Sequence, residues 1–172
     1  MNIVLIGYRG TGKSSIGKRL ASLLWMDFVD TDTLLIERAG KTIKEIFESE
    51  GEPAFRDKES AIIQEVAAKD NLVIAAGGGA ILRPENVEAL KKNGKIIWLK
   101  ADPKTLLARI QADPATAETR PNLVTGGVAG GIEEITTLLD QRTPLYQAAA
   151  DASLEVTYLT IDDAAQRLTG LI

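Results

Sequence analysis

A chain of 172 residues, 45% of them hydrophobic and 26% charged, suits one soluble domain with a real core, and is neither disordered nor fibrous in composition. A net charge of −4 with only 5% aromatic residues offers no nucleic-acid face, and no apolar run approaches the ~18–20 residues that span a bilayer. With no cysteine and no histidine, thiolates, disulfides and imidazole bases are excluded, leaving carboxylates, lysine, arginine, backbone N–H groups and oxygen-bound cations such as Mg²⁺, a set suited to phosphoryl transfer.

The opening Met1–Gly7 lacks the basic stretch of a signal peptide and turns polar at once, so the expected location is the cytoplasm. Ile3–Ile6 reads as a strand. Directly after it, Gly7-Tyr8-Arg9-Gly10-Thr11-Gly12-Lys13-Ser14 leads into an amphipathic helix, Ser15–Leu24. This is GxxxxGK[ST] between a strand and a helix, a P-loop. Its glycines let successive N–H groups turn toward phosphate oxygens, and the helix N-terminus adds its dipole. Lys13 then reaches the β- and γ-phosphates, and the Ser14 hydroxyl can ligate Mg²⁺. The Asp-x-x-Gly and Asn-Lys-x-Asp tetrapeptides of a guanine-nucleotide switch do not occur in the chain.

A second strand, Phe28–Val29, runs into Asp30-Thr31-Asp32. Alternation along an extended segment sends Asp30 and Asp32 to one side, at the rim where α/β sheets bind ligands. One carboxylate would hold Mg²⁺ through water while the other orients or deprotonates an acceptor hydroxyl; alternatively, Thr31 or Asp32 caps the next helix. Thr31–Ala68 holds three helical segments and no strand, long for one crossover. Within it, Thr42-Ile43-Lys44-Glu45 is a capping box, Gly51 a stop, and Gly51-Glu52-Pro53-Ala54-Phe55-Arg56 follows.

Leu72–Ala76 is the third strand, followed by Gly77-Gly78-Gly79. Three glycines in a row suggest close approach of a ligand or another segment, beyond the needs of an ordinary strand-to-helix turn. Arg83-Pro84 opens a helix to Asn93 with Gly94 as its stop, Ile96–Leu99 is the fourth strand, and Asp102-Pro103 opens a helix through Arg109. Gln111–Gly131 is polar, with Pro114, Pro121 and four glycines, and reads as either a surface loop or a mobile lid. Ser153–Val156 is a weak fifth strand, and Thr160 to Asp163 caps a last helix. Nearly all-apolar strands alternating with helices predict one α/β domain whose parallel sheet is covered on both faces.

Gly10-Thr11-Gly12-Lys13-Ser14, Asp30-Thr31-Asp32, Phe55-Arg56 with Glu59, Gly77-Gly78-Gly79, Arg120-Pro121 and Arg142-Thr143-Pro144-Leu145-Tyr146 stand in the order and approximate spacing of the shikimate kinases, which the whole chain resembles. The resemblance implies a three-layer P-loop kinase fold with a central five-stranded parallel sheet, a substrate-binding subdomain over 33–61 and a lid over 111–124. It implies ATP and shikimate as substrates, Mg²⁺ as cofactor, a monomer, and neither nucleic acid nor membrane as partner. Gly10, Thr11, Gly12, Lys13, Ser14 and Ser15 would cradle ATP, with Arg109 beside the adenine. Ser14 and, through water, Asp30 would hold Mg²⁺. Arg56, Arg142 and the backbone N–H of Gly78 would clamp the acceptor carboxylate, with Gly79 also binding the substrate. Asp32 would grip the ring hydroxyls and take the proton, and Lys13 and Arg120, the latter on the lid, would neutralise the transferring phosphoryl. The alternatives are a P-loop kinase for gluconate or a nucleoside monophosphate, or a nucleotide-binding regulatory module. A nucleotide acceptor wants more cations around a second phosphate, and a regulatory module a defective site, whereas Lys13, Ser14, Asp32 and Arg120 all stand.

Overall fold

The computed structural model describes residues 1–113 and 131–172. In chain order its elements are β1 (Asn2–Ile6), α1 (Lys13–Leu24), β2 (Asp27–Asp30), α2 (Thr31–Ala39), α3 (Ile43–Glu50), α4 (Glu52–Ala67), β3 (Leu72–Ala75), a 3-10 turn (Ala80–Leu82), α5 (Pro84–Lys92), β4 (Gly94–Lys100), α6 (Pro103–Ala112), α7 (Ile132–Ala149), β5 (Ala152–Glu155) and α8 (Ile161–Thr169).

The five strands form one sheet in the order β2-β3-β1-β4-β5, parallel throughout. β1 is central, with Ile3 opposite Val73 of β3 and Lys95 of β4. Its side chains alternate between two buried layers, as a two-sided parallel strand requires. Val4 and Ile6 pack with Leu35, Ile46, Phe55, Ile63, Leu90 and Tyr146, under α2 to α5 and α7. Ile3 and Leu5 pack with Ile16, Leu20, Ala164 and Leu168, under α1 and α8. A third cluster joins Tyr8 to Leu106 and Ile110 of α6 and to Ile135 and Leu138 of α7. The three expected layers are therefore present. The chain leaves β1 for one side of the sheet and later crosses to the other, so the loops after β1 and β3 meet at a switch point where such sheets bind ligands.

Helix ends follow the sequence signals closely. The Thr42 hydroxyl accepts from the Glu45 N–H at 3.1 Å while the Glu45 carboxylate accepts from the Thr42 N–H at 2.7 Å, completing the capping box. Asp102 caps α6 and Thr160 caps α8. Some boundaries differ. α1 begins at Lys13, inside the P-loop, and not at Ser15. β2 extends to its flanking carboxylates, and β5 lies one residue earlier than expected. Gly94 opens β4 instead of merely stopping α5; a side chain there would meet the Leu90 carbonyl oxygen at 2.5 Å. α6 runs on to Ala112. α7, with 18 residues, had no counterpart among the predicted helices, because Pro144 interrupts its pattern and removes one backbone donor. Among the described residues no helix is long and apolar enough to cross a membrane.

Candidate active site

A cleft of about 600 Å³ opens over the carboxyl ends of the strands, lined by the P-loop, Asp30 and Asp32, α4, the glycine run after β3, and faces of α6 and α7. The P-loop forms one wall. Gly10 and Gly12 have φ of 87° and 90°, the left-handed region that L side chains avoid, and their conformation curls the loop. Thr11 pins the curl by donating its hydroxyl to the Tyr8 carbonyl at 2.9 Å. Gly12 then starts α1 with no side-chain cap, so the first N–H groups of the helix face a ligand position.

Lys13 folds back across this loop and donates to the carbonyls of Gly7 at 2.7 Å and Tyr8 at 3.0 Å. The Ser14 hydroxyl donates to the Asp30 carboxylate, and Ser15 lines the same wall. Arg109 reaches from α6 to donate to the carbonyls of Gly10 at 3.2 Å, Thr11 at 3.4 Å and Val156 at 3.4 Å. It therefore links the loop to the segment after β5 as well as lining the cleft. Arg9 pairs with the fully buried Glu134 at 3.0 Å, tying the P-loop to the first turn of α7.

The opposite wall carries the acceptor-side residues. The strand ends at Asp30, which caps α2 by accepting the Thr33 N–H at 3.0 Å, so Asp32 sits in the first turn of a helix. The extended alternation expected for this pair does not apply, and the cap is Asp30 instead of Thr31 or Asp32; both carboxylates nevertheless line the cleft. Thr31 accepts the Gly77 N–H at 3.0 Å, anchoring the glycine run beside them. Arg56, buried on α4, donates to Glu59 at 2.9 Å and to Glu52 at 3.4 Å. Burial pushes the Glu59 carboxyl above its ordinary value, with Arg56 pulling it back down and Asp32 pushing it further up. Arg142, buried on α7, lies 6.0 Å from the Tyr8 ring centre.

None of Gly77, Gly78 and Gly79 has a positive φ, so at Gly77 and Gly79 it is space, and not conformation, that demands glycine. A Cβ on Gly77 would sit 2.6 Å from Asp32 Oδ1 and 3.0 Å from Glu59 Oε2. The Arg56 guanidinium leaves no room for one on Gly79. At Gly78 the nearest atom, Arg142 Nη1, is an ordinary 3.4 Å away.

Of the expected site residues, Gly10, Thr11, Gly12, Lys13, Ser14, Ser15, Asp30, Asp32, Arg56, Gly78, Gly79, Arg109 and Arg142 all border this one cleft. Arg120 and residues 114–124 of the expected lid lie outside the described residues. Arg9 and Glu134 carry no signal of their role in the sequence, and Thr31, expected only as a helix cap, instead anchors the glycine run. Sequence reasoning quoted Glu59 without a task, although an acid three residues after Arg56 on a helix already signals a pair.

A parallel sheet, a P-loop at its switch point and an acidic, arginine-flanked pocket facing that loop define a P-loop phosphotransferase of the small-molecule kinase type. The sequence profile of the family described as "Shikimate kinase" matches residues 9–171. A shikimate kinase of Rhodopirellula baltica is 40% identical, covering 94% of this chain and 85% of its own, and one of Pelotomaculum thermopropionicum is 39% identical, covering 97% and 92%. The structure of a shikimate kinase from Acinetobacter baumannii in complex with shikimate superposes with a TM-score of 0.90 at 35% identity, over 99% of this chain and 91% of that one. The chain belongs to the shikimate kinase family.

Proposed function

We propose that the chain transfers the γ-phosphoryl group of ATP to the 3-hydroxyl of shikimate, giving 3-phosphoshikimate and ADP on the route to chorismate and the aromatic amino acids. The observation that carries this reading is the meeting, in one cleft, of the P-loop lysine with the Asp32 carboxylate and two buried guanidinium groups, Arg56 and Arg142. A planar guanidinium pairs well with a carboxylate, and a lone acceptor carboxylate needs no larger cationic field.

In this reading Arg56 and Arg142 hold the acceptor carboxylate, with backbone N–H groups of Gly78 and Gly79 beside them. Asp32 binds the ring hydroxyls and accepts the proton of the 3-hydroxyl as its oxygen bonds to the γ-phosphorus. The bond from that phosphorus to the β,γ-bridging oxygen breaks, and ADP leaves with the electron pair. Lys13 exchanges its two carbonyl partners for phosphoryl oxygens, and its charge offsets the charge that spreads over them. Arg109 steadies the P-loop and flanks the adenine. Arg120, in the segment between α6 and α7, adds charge when residues 111–124 cover the cleft and keep out competing water. Residues 33–61 form the substrate-binding subdomain.

The paired Ser14 hydroxyl and Asp30 carboxylate are hard oxygen donors that suit Mg²⁺, Ser14 directly and Asp30 through water. When bound, Mg²⁺ withdraws charge from the β- and γ-phosphates. In this reading the chain works as a monomer in the cytoplasm. Phosphorus and proton NMR of the product formed from Mg·ATP and shikimate test the reading: a phosphate coupled to the ring proton at C3 supports it, and a phosphate elsewhere on the ring overturns it.

A further inference from the structure

Arg142 and Tyr146 stand one turn apart on the same face of α7, but only Arg142 has so far been given a task. Tyr146 is fully buried, and its hydroxyl donates to the carbonyl of Gly78 at 2.6 Å. Its ring stacks on Trp98 of β4, with centroids 5.7 Å apart and planes inclined by 26°, so the phenol has little freedom to turn away. Burial pushes its ionisation up to about 12, and the hydroxyl keeps its proton throughout the neutral range.

The acceptor of this bond is one half of a peptide unit. No peptide bond among the described residues is cis, so the Gly78 carbonyl and the Gly79 N–H point in opposite directions. Tying the carbonyl to Tyr146 on the α7 side directs the Gly79 N–H the other way, and Gly79 lines the cleft. A hydrogen bond at the carbonyl also polarises the N–H of the same unit, strengthening it as a donor. Around this peptide the chain is in ordinary van der Waals contact. The side-chain direction of Gly78 faces Arg142 Nη1 at 3.4 Å, the Gly7 carbonyl oxygen at 3.6 Å and the Arg9 nitrogen at 3.7 Å.

We propose that Tyr146 is a positioning residue for the acceptor: its hydroxyl orients the Gly78–Gly79 peptide so that the Gly79 N–H donates to the acceptor carboxylate held by Arg142. The proposal rests on the shikimate reading above. It gives α7 two connected roles, presenting a guanidinium and setting a backbone donor, with Trp98 bracing the second.

Tyr146→Phe removes the donor and keeps the ring. The expected result is a rise of roughly three- to tenfold in KM for shikimate, the range of one neutral hydrogen bond, with kcat and KM for ATP within about twofold. In the ligand-free protein the Gly79 amide nitrogen resonance is expected to move when the bond to the preceding carbonyl is lost. A purely structural role would lower the melting temperature and the active fraction but leave KM for shikimate unchanged. An unchanged KM in a folded variant, or an unmoved Gly79 resonance, overturns the proposal while wild-type turnover of shikimate preserves the functional reading. If the wild-type protein does not use shikimate, that reading fails and takes the acceptor role with it, whereas the Gly79 resonance still reports the Tyr146 bond by itself.

Discussion

Arg56 donates to Oε1 of Glu59 at 2.9 Å, one turn along α4, with both side chains almost wholly buried. An arginine that must meet a ligand carboxylate is thus held in place by a carboxylate of the protein. Glu59→Gln keeps the shape and loses the charge, and KM for shikimate is expected to rise about tenfold, the scale of a charge-assisted hydrogen bond. A KM within twofold of wild type would show that Arg56 needs no such anchor.

The same pair makes a prediction about pH. The folded protein raises the Glu59 carboxyl above its ordinary 4.5, chiefly through burial, opposed by Arg56 and Arg142 and reinforced by Asp32. Because the folded value lies above the unfolded one, the stabilisation is complete below the unfolded value and is lost as pH rises through the folded one. Glu59→Gln lacks this titration. The unfolding free energy of wild type relative to the variant should therefore be greater near pH 4 than near pH 8, and denaturant titrations at both values read the difference directly. A difference that is constant, or that grows with pH, contradicts the assignment.

Gly77 abuts Asp32. Since its φ is ordinary, Gly77→Ala acts through space alone, with a methyl that would lie 2.6 Å from Asp32 Oδ1. Displacing the proton acceptor by a fraction of an ångström is expected to lower kcat about ten- to a hundredfold while ATP binding persists. Gly78→Ala, whose methyl meets nothing closer than 3.4 Å, should be milder. Equal effects of the two substitutions would argue against a spatial cause.

Lys13 is held by two P-loop carbonyls and is poised to exchange them for phosphate oxygens. Lys13→Ala should reduce kcat by about a hundred- to a thousandfold, the scale of losing one charge from a transferring phosphoryl group. Shikimate affinity, measured by calorimetry without nucleotide, should stay close to wild type. A large loss of shikimate affinity would place Lys13 on the acceptor side instead.

Arg142 is buried beside Tyr8 and close to Gly78. Arg142→Ala is expected to raise KM for shikimate by about a hundredfold and to change KM for ATP little, and Arg142→Lys to restore only part of the loss, since a point charge cannot reproduce the planar fork. An unchanged KM for shikimate would remove Arg142 from the clamp.

The P-loop was legible because its chemistry needs particular residue types at fixed spacing, and strand–loop–helix context is visible in short apolar and amphipathic runs. The three glycines announced close packing, and Asp32 and Glu59 press against Gly77 as Arg56 does against Gly79. Other features were hidden. Asp30 and Asp32 reach the cleft through a helix cap and a first helical turn, which the two-residue alternation of a strand does not describe. α7 was masked by Pro144, tolerated inside the helix while Tyr146, Leu138 and Ile135 bury against the core. The Arg9–Glu134 pair joins residues 125 apart and leaves no local pattern to read. The Tyr146 bond to Gly78 likewise depends on the tertiary packing of α7 against the loop after β3.

One acceptor, shikimate, is expected to be phosphorylated from ATP in the cleft. The decisive measurement is ADP release at fixed Mg·ATP with shikimate, quinate, gluconate, AMP or CMP, each against a control without acceptor. Strong, saturable release is expected with shikimate and only background with the others. Preferred turnover of another acceptor, or ATP hydrolysis indifferent to every acceptor, would contradict that expectation.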